Sequence, residues 1–326
     1  MNLLFIERIH MFQNNTLINE SSLLISIEDF MISICHEQFV DDHEEFKREL
    51  LDAILWFKQI YREDFSYSRI IHVFKRVIIL VDYILERMDM SIYEDILKFE
   101  QNHILHIQGI IQHEMKNALR EQIDFQRQEQ SNRFKLECYL NQLLTHYARL
   151  LFVRVDISIL KKFQHYWRID DFYEALRILR NRMSNKDTCF KDLQGYVWAL
   201  EQGVEKGYHC HLLLIYDGNR RLEDSGLAKL VAEYWKQITN QQGTHYNCNT
   251  KDNKEKFDKN GLLGVGMIHR DQPIQVTNAI LAAMYLVNPE KEDQRLRAKT
   301  SPQMRTFGTG QFEVKWRRDI EQNESL

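Results

Sequence analysis

The uneven distribution of proline and glycine is the feature that most constrains how this chain can fold. Residues 1–150 contain no proline and only Gly109, whereas all three prolines lie between Pro273 and Pro302. Proline and glycine are the residues that most strongly interrupt helices. The first half of the chain can therefore be largely helical, and the second half must contain turns and loops.

The spacing of apolar residues supports helices in the first half. From Ile70 to Ile84, apolar residues recur at intervals of three and four, which is the pattern of helices packed on a common core. We expect about four helices between Ser26 and Asn132. The segment Arg120–Arg133 is almost wholly polar, so it is predicted to be an exposed helix end or a connector between domains.

Short apolar runs replace this pattern after Leu140. The run Leu150–Ser158 is apolar and rich in β-branched residues, and it predicts a buried strand. The runs Tyr196–Gln202 and Tyr208–Gly218 are separated by the sequence GVEKG and predict a β-hairpin. Further segments are expected to form helices at 170–183 (capped by Asp170 or Asp171), 227–240 and 277–288, and strands at 261–270 and 305–316.

This order of elements predicts an α+β chain. An all-helical domain is expected at residues 1–135, and a mixed α/β domain with a central antiparallel sheet at residues 145–318. A length of 326 residues is sufficient for two domains, each with its own core.

Charge and cysteine content limit the partners and the compartment. The formal net charge is -4, so a nucleic-acid partner would have to be bound by a local basic patch. Five cysteines at irregular spacing, without a CxxC pair, are typical of reduced thiols in a cytoplasm. The sequence shows no secretory leader and no run of the ~18 apolar residues that a bilayer span requires. We therefore expect a soluble cytoplasmic protein without a membrane partner.

Two histidines in the second hairpin strand are the strongest candidates for a metal site. His209 and His211 are separated by one residue, so in a strand both side chains project from the same face. Glu201, in the preceding strand, is predicted to lie near His209 and to supply an oxygen ligand for a cation such as Mg²⁺ or Mn²⁺. By itself, an H-x-H pair is more often two strand histidines that bind nothing.

The surrounding motifs resemble a known family. The segment from Glu201 through GYHCHLLLIYDG, followed by GVGMIH, AAMYL, DQRLRAK and RTFGTG, resembles the inovirus gene 2 protein family and its prophage relatives with a YagK/YfjJ-type C-terminal domain. More broadly, a strand H-x-H pair followed by a helix that presents a tyrosine resembles the HUH nucleases of rolling-circle replication. The resemblance covers residues 150–312 approximately and implies an HUH/Rep-like α/β domain.

The resemblance also implies site residues and a reaction. His209 and His211 correspond to the metal pair, Glu201 to an acidic metal ligand, and Tyr285 to a nucleophile that attacks a DNA phosphodiester. HUH initiators often have a lysine three residues after the tyrosine, where this chain has Asn288. Lys291 is the nearest lysine and is expected to take the catalytic role.

A basic segment near the C-terminus supplies the local charge that the whole chain lacks. Between Arg295 and Arg318 there are seven lysines and arginines against a single acidic residue, Glu313. Such a segment can neutralise several phosphates. It predicts DNA contacts, alternatively a solvated basic terminus, for Arg295, Arg297, Lys299 and Arg305 and for Lys315, Arg317 and Arg318.

Other candidate residues favour structural roles. His103, His106 and His113 lie in a predicted helix without an acidic or cysteine companion at ligand spacing, so a surface role is expected. Tyr234 is a rival nucleophile, for which packing is the expected role. Cys210 points away from the two histidines and is expected in the core.

The leading functional hypothesis is a replication initiator of a phage, prophage or plasmid that nicks and rejoins single-stranded or melted origin DNA, with host replication proteins as candidate further partners. The alternative is a catalytically degenerate origin-binding or regulatory protein, motivated by Asn288. A third hypothesis is a helical interaction protein with an unrelated α/β domain. The sequence predicts neither the role of the helical half nor the oligomeric state.

Overall fold

The computed structural model describes residues 18–36 and 43–312. In these residues the helices are α1 (Glu20–His36), α2 (His43–Ile60), α3 (Arg69–Arg87), α4 (Gln101–Ala118), α5 (Arg120–His146), α6 (Ile169–Asn185), α7 (Asp224–Ile238), α8 (Lys251–Asp258) and α9 (Pro273–Met284). The strands are β1 (Ser66–Tyr67), β2 (Arg149–Ile159), β3 (Leu193–Gly203), β4 (Gly207–Asp217), β5 (Gly243–Asn247), β6 (Gly266–His269), β7 (Ala298–Lys299) and β8 (Phe307–Thr309). Short 3-10 helices occupy Tyr93–Lys98, Lys161–Tyr166, Thr188–Phe190 and Glu292–Gln294.

The predicted helical first half and mixed second half are both confirmed. Five helices of the described residues overlap the range 26–132, where about four were expected, because the polar segment Arg120–Arg133 is itself helical and forms the first half of α5. That segment has no proline or glycine, and the helix continues to Leu136 and Leu140, which pack on the sheet. The predicted division between residues 135 and 145 therefore falls inside one helix, and the existence of two independent domains stays a prediction.

The sheet is antiparallel throughout the described residues, with strand order β5-β2-β4-β3-β8 and β6 paired to β2 beside β5. The predicted hairpin is confirmed as β3 and β4. Strand β5 and helix α8 were not predicted, because the sequence of β5, GTHYN, carries little apolar pattern. The cap of α6 also differs from expectation: Arg168 is the N-cap residue, and the Asp171 carboxylate accepts a hydrogen bond from the Arg168 amide.

The two faces of the sheet have different surroundings. The face that we call the closed face bears Leu212, Leu214 and Tyr216 of β4 and is covered by α6 and α7. The opposite side, the mixed face, bears Leu213 and Ile215 of β4, on which α5 and α9 pack. Toward the other end of the same strand, the mixed face turns from apolar to polar.

The helical half and the sheet are joined by specific contacts. The Glu20 carboxylate of α1 accepts hydrogen bonds from the Tyr208 hydroxyl and the Ile169 amide. Strand β1 pairs with β7, which lies more than 200 residues later in the chain. A continuous buried core includes residues of α1–α4 together with the closed face. Among the described residues, no helix has both the length and the apolar composition needed to cross a bilayer.

Candidate metal centre

Two histidines of β4 lie side by side at the polar end of the mixed face. Strand alternation places His209 and His211 on this face, while Cys210 between them points into the core of the closed face. Both histidines are 3% exposed, and their rings lie 5.2 Å apart, nearly perpendicular to one another. The predicted geometry of the pair and the core position of Cys210 are confirmed.

Glu201 completes a group of three ligands. The hairpin register sets Glu201 of β3 directly opposite His209. Its Oε2 lies 3.2 Å from Nε2 of His211 and 3.5 Å from Nε2 of His209. One ligand atom from each of the three residues lies within 4.8 Å of the others, and among the described residues this is the group that could hold a metal ion.

The second nitrogen of each histidine has a partner. Nδ1 of His209 donates to the carbonyl oxygen of Gly207 at 3.1 Å, and Nδ1 of His211 lies 2.7 Å from Oδ1 of Asp156. Metal-binding histidines normally have their outer nitrogen held by a carbonyl or a carboxylate, which fixes the tautomer. Both Nε2 atoms are thereby directed at Glu201, so the donor set fits a divalent cation.

The charged groups of the site shift one another's pKa. Burial alone would raise the pKa of Glu201, but contacts with His209, His211 and Lys291 hold it well below its usual range. Nζ of Lys291 lies 3.1 Å from Oε1 and 3.3 Å from Oε2 of Glu201. Burial lowers the pKa of His211, and the carboxylates of Asp156 and Glu201 outweigh that effect and raise it. The same imidazole lowers the pKa of Asp156, again against burial.

Tyr285 lies at the edge of this group. It follows the last residue of α9, its side chain is 49% exposed, and its ring lies 6.1 Å from the ring of His211. Two cations flank the ring: the Arg154 guanidinium at 4.7 Å and the Lys291 ammonium at 3.9 Å from its centroid. The structure thus brings the predicted nucleophile, the predicted lysine and the candidate ligands together.

A close backbone contact allows α9 to approach the sheet. A side chain on Gly264 would place its Cβ 2.1 Å from the carbonyl oxygen of Asn278 in α9. Glycine is therefore required where the segment before β6 passes α9. The helix then packs through Ala279, Ala283 and Met284 on the mixed face, and this packing sets the position of Tyr285.

A cavity of about 260 Å³ adjoins the candidate ligands. Its wall includes Glu201 and Lys291, together with Phe125 and Glu129 of α5 and Arg69 of α3. Burial raises the pKa of Glu129, with a smaller contribution from the charge of Glu201. The helical half therefore forms one wall of the space beside the candidate metal centre.

The basic segment is placed differently from expectation. The guanidinium of Arg295 lies 2.8 Å and that of Arg297 lies 3.0 Å from the buried Glu28 carboxylate of α1. Both arginines are themselves buried, which argues against the predicted phosphate contacts, because ion pairs hold them inside the molecule. Lys299 is half-buried in β7, and burial lowers its pKa, whereas Arg305 is exposed. Lys315, Arg317 and Arg318 lie outside the described residues.

The remaining candidates do not join the site. Tyr234 is a residue of α7, and its ring packs beside that of Phe190. Because α7 covers the closed face, Tyr234 lies across the sheet from the two histidines. Within the part of the chain that the structure describes, His103, His106 and His113 form no group of ligands.

Asp156 and Arg154 were missed by the sequence analysis. They alternate with Val155 at the end of β2, and the register places Asp156 opposite His211. The signal was present, because the run Leu150–Ser158 becomes alternately polar in its second half. It was interpreted as a uniformly apolar strand.

Comparison with known proteins identifies a family. The model of the YagK/YfjJ C-terminal domain matches residues 112–310, which is more than half of the chain. No curated protein and no solved structure matches. The matched range begins within α4 and ends after β8, so it contains the whole sheet and every residue of the candidate metal centre. The chain therefore belongs to the YagK/YfjJ C-terminal domain family.

Proposed function

We propose that this protein is a metal-dependent enzyme that nicks and rejoins DNA through a tyrosine-phosphate intermediate, as a rolling-circle-type replication initiator of a phage, prophage or plasmid. One observation carries the proposal: Tyr285 lies beside a group of two histidines and a glutamate, with the cations of Arg154 and Lys291 against its ring. Membership of the YagK/YfjJ family is consistent with a phage or prophage protein.

Glu201, His209 and His211 would hold the cation, for which Mg²⁺ or Mn²⁺ is proposed. When bound, the cation would neutralise charge on the phosphate and favour attack by a nucleophile. Asp156 and the Gly207 carbonyl orient the two imidazoles, so that each Nε2 faces the shared centre.

The residues around Tyr285 fit a transesterification. The phenol oxygen attacks the phosphorus, the phenol proton is released, and the bond from phosphorus to the 3′ oxygen breaks. The departing 3′ oxygen takes up a proton, which leaves a 3′-hydroxyl and a 5′-phosphotyrosine, and the reverse reaction rejoins the strand. The Arg154 guanidinium and the Lys291 ammonium would stabilise the negative charge on the phosphate oxygens.

Lys291 is proposed to serve where related initiators have a lysine one turn after the tyrosine. Asn288 occupies that sequence position, but the chain turns after α9 and returns Lys291 to Glu201. The ammonium group is thus supplied by a lysine three residues further along the chain than Asn288.

The test is formation of a covalent adduct. Parent protein with Mn²⁺ and single-stranded oligonucleotides from the surrounding replicon should give a protein–DNA adduct, and peptide mass spectrometry should locate the nucleotide on Tyr285. Tyr285→Phe should bind DNA and form no adduct, because it keeps the ring and loses only the hydroxyl. Tyr234→Phe is the matched control and should form the adduct normally. An adduct on Tyr234, or a fully active Tyr285→Phe protein, would contradict the assignment of the nucleophile.

A second candidate function is origin binding or regulation without catalysis. It is favoured by the position of the Lys291 ammonium, which already neutralises both oxygens of the Glu201 carboxylate. Binding of the same oligonucleotides without an adduct, at any Mn²⁺ concentration, would support this candidate over the enzyme.

A further inference from the structure

A basic groove lies between α3 and α4 in the helical half, apart from the candidate metal centre. It has a volume of about 870 Å³. Its polar lining includes Arg69, His72, Lys75, Arg76, His113 and Arg120.

The amphipathic pattern of α3 explains why these side chains face outward together. Arg69, His72 and Arg76 are spaced by three and four residues and share one exposed side of the helix. The opposite side buries Phe74 and Val77 in the helical core. The basic side chains therefore form a stripe along the helix and are not scattered over the surface.

The groove carries an excess of positive charge. Its lining has four lysines and arginines and one acidic residue, Glu114, which pairs with Arg76, while Arg69 pairs with Asp124 of α5 at 2.8 Å. Within the described ranges, Lys75 and Arg120 have no carboxylate at ion-pair distance, and Lys75 contacts the Tyr61 hydroxyl instead. Burial lowers the pKa of His72, and the positive charges of Lys75 and Arg76 lower it further.

The starts of two helices lie at the groove. Arg69 is the first residue of α3 and Arg120 is the first residue of α5, and the start of a helix carries a partial positive charge. The start of α3 is compensated within the protein, because the Glu121 carboxylate accepts a hydrogen bond from the Arg69 amide and Asp124 pairs with the Arg69 guanidinium. Arg120 lies at the start of α5, where a cation is disfavoured. An external polyanion would compensate the side chains of Lys75 and Arg120.

The groove adjoins the space beside the candidate metal centre. Arg69 lines both this groove and the 260 Å³ cavity whose wall includes Glu201 and Lys291. A polyanion that leaves the metal centre through the cavity would therefore meet Arg69 and then the cations of α3.

We propose that this groove binds the sugar-phosphate backbone of the DNA that flanks the cleaved bond. The inference rests on the proposed function, because it assigns a path to the substrate of that site. A stripe of spaced cations matches the repeated charge of a nucleic-acid backbone. Because the groove adjoins the candidate metal centre, the substrate of that centre is favoured over an acidic protein as its occupant.

The test removes the charge without introducing repulsion. In the full chain carrying Tyr285→Phe, the triple variant Lys75→Gln, Arg76→Gln and Arg120→Gln is compared with its parent. The matched control is Arg177→Gln, Lys186→Gln and Lys229→Gln, which also loses three positive charges. Its residues are exposed in or next to α6 and α7, and Arg177 pairs with Glu174 as Arg76 pairs with Glu114. Thermal unfolding verifies that all three proteins are folded.

Binding of labelled polythymidine strands of increasing length, and of a random duplex, is measured by fluorescence anisotropy over a range of salt concentrations. Each lost phosphate contact lowers the logarithmic salt slope by roughly 0.7 on a single strand and 0.9 on a duplex. The groove variant should lose about 2 units of slope on long single strands, or about 3 on duplex, while the shortest strands bind as before. The probe with the larger loss identifies the form of DNA that the groove takes.

Equal slopes for the groove variant and its parent on both probes would overturn the proposal and leave an acidic protein as the partner to test. An equal loss in the matched control would also overturn it, because the effect would then be one of net charge. Adduct formation is assayed separately with Tyr285 intact. If no adduct forms but the groove variant shows the length-dependent loss, the groove proposal stands and the proposed nicking function fails. If an adduct forms but the groove variant shows no loss, nicking stands and the groove proposal fails.

Discussion

The two faces of the sheet are built from the same three central strands and differ in what they bury. On β4, the closed face buries Cys210, Leu212 and Leu214 under α6 and α7. On the mixed face, the inward residues of β4 before Leu213 are His211 and His209. Both histidines are as buried as the apolar core. Buried polar groups are tolerated where partners satisfy them. The difference teaches that the polar end of the mixed face can bury two imidazoles because each has a polar partner, Gly207 for His209 and Asp156 for His211.

Two buried carboxylates show the same contrast. Glu20 packs against the closed face, where burial dominates and raises its pKa despite hydrogen bonds from Tyr208 and Ile169. Glu201 is buried on the mixed face, and its neighbours lower its pKa against burial. The closed face therefore disfavours a charge that the mixed face is arranged to hold.

The largest expected effect is on activity, from removing both histidines of the mixed face. His209→Ala combined with His211→Ala should abolish metal-dependent cleavage, because two of the three candidate ligands are lost. The fold should survive, because Lys291 remains beside Glu201 and Arg154 remains beside Asp156. Adduct assays test the loss of cleavage, and circular dichroism tests whether the fold survives. Unchanged cleavage would refute the metal assignment.

The next effect is on stability and belongs to the closed face. Leu214→Ala should lower the free energy of unfolding by about 2–5 kcal/mol, because it leaves a cavity under the helices. Urea unfolding of this variant and of the double histidine variant gives the comparison directly. If the histidine variant proved the less stable of the two, the mixed face would be a second core, and its role as a site would be weakened.

The smallest effect is the pH dependence of stability in metal-free protein. Because the pKa of Glu20 is raised, its stabilising contribution is complete below the ordinary value of 4.5 and is lost as pH rises through the folded pKa. Because the pKa of Glu201 is lowered, its contribution is present above 4.5 and is lost as pH falls toward the folded pKa.

Glu20→Gln should therefore flatten the stability profile above pH 4.5, and Glu201→Gln should flatten it below that pH. Urea titrations across the pH range, with chelator present, measure both limbs. Flattening of the same limb by both substitutions would remove the electrostatic distinction between the two faces.

The sequence predicted the centre of the site and missed its surroundings for a physical reason. His209, His211 and Glu201 lie in one hairpin, where alternation and loop length fix the register locally. Asp156 reaches His211 from β2, more than fifty residues earlier in the chain, and pairing of strands that do not follow one another is not encoded by local pattern. Tyr285 was predicted to be the nucleophile from the family resemblance alone.

The basic segment shows the opposite limitation. Arg295 and Arg297 were predicted to contact DNA from their local charge, but their partner Glu28 is 269 residues from Arg297 along the chain. A charge pattern reports an excess of cations and does not report whether a distant carboxylate compensates them. Removing one partner of a buried ion pair lowers the free energy of unfolding by about 3–5 kcal/mol. Arg297 therefore stabilises the fold.

The central claim is that the polar end of the mixed face binds a divalent cation through the Nε2 atoms of two histidines. Pulsed electron paramagnetic resonance of protein-bound Mn²⁺ tests it most directly, because imidazole nitrogen bound to the metal produces a characteristic coupling. The account predicts nitrogen coupling in the parent and in Tyr285→Phe, and its loss in the double histidine variant. Bound Mn²⁺ that shows no nitrogen coupling in the parent, or the same coupling after both histidines are removed, would contradict it.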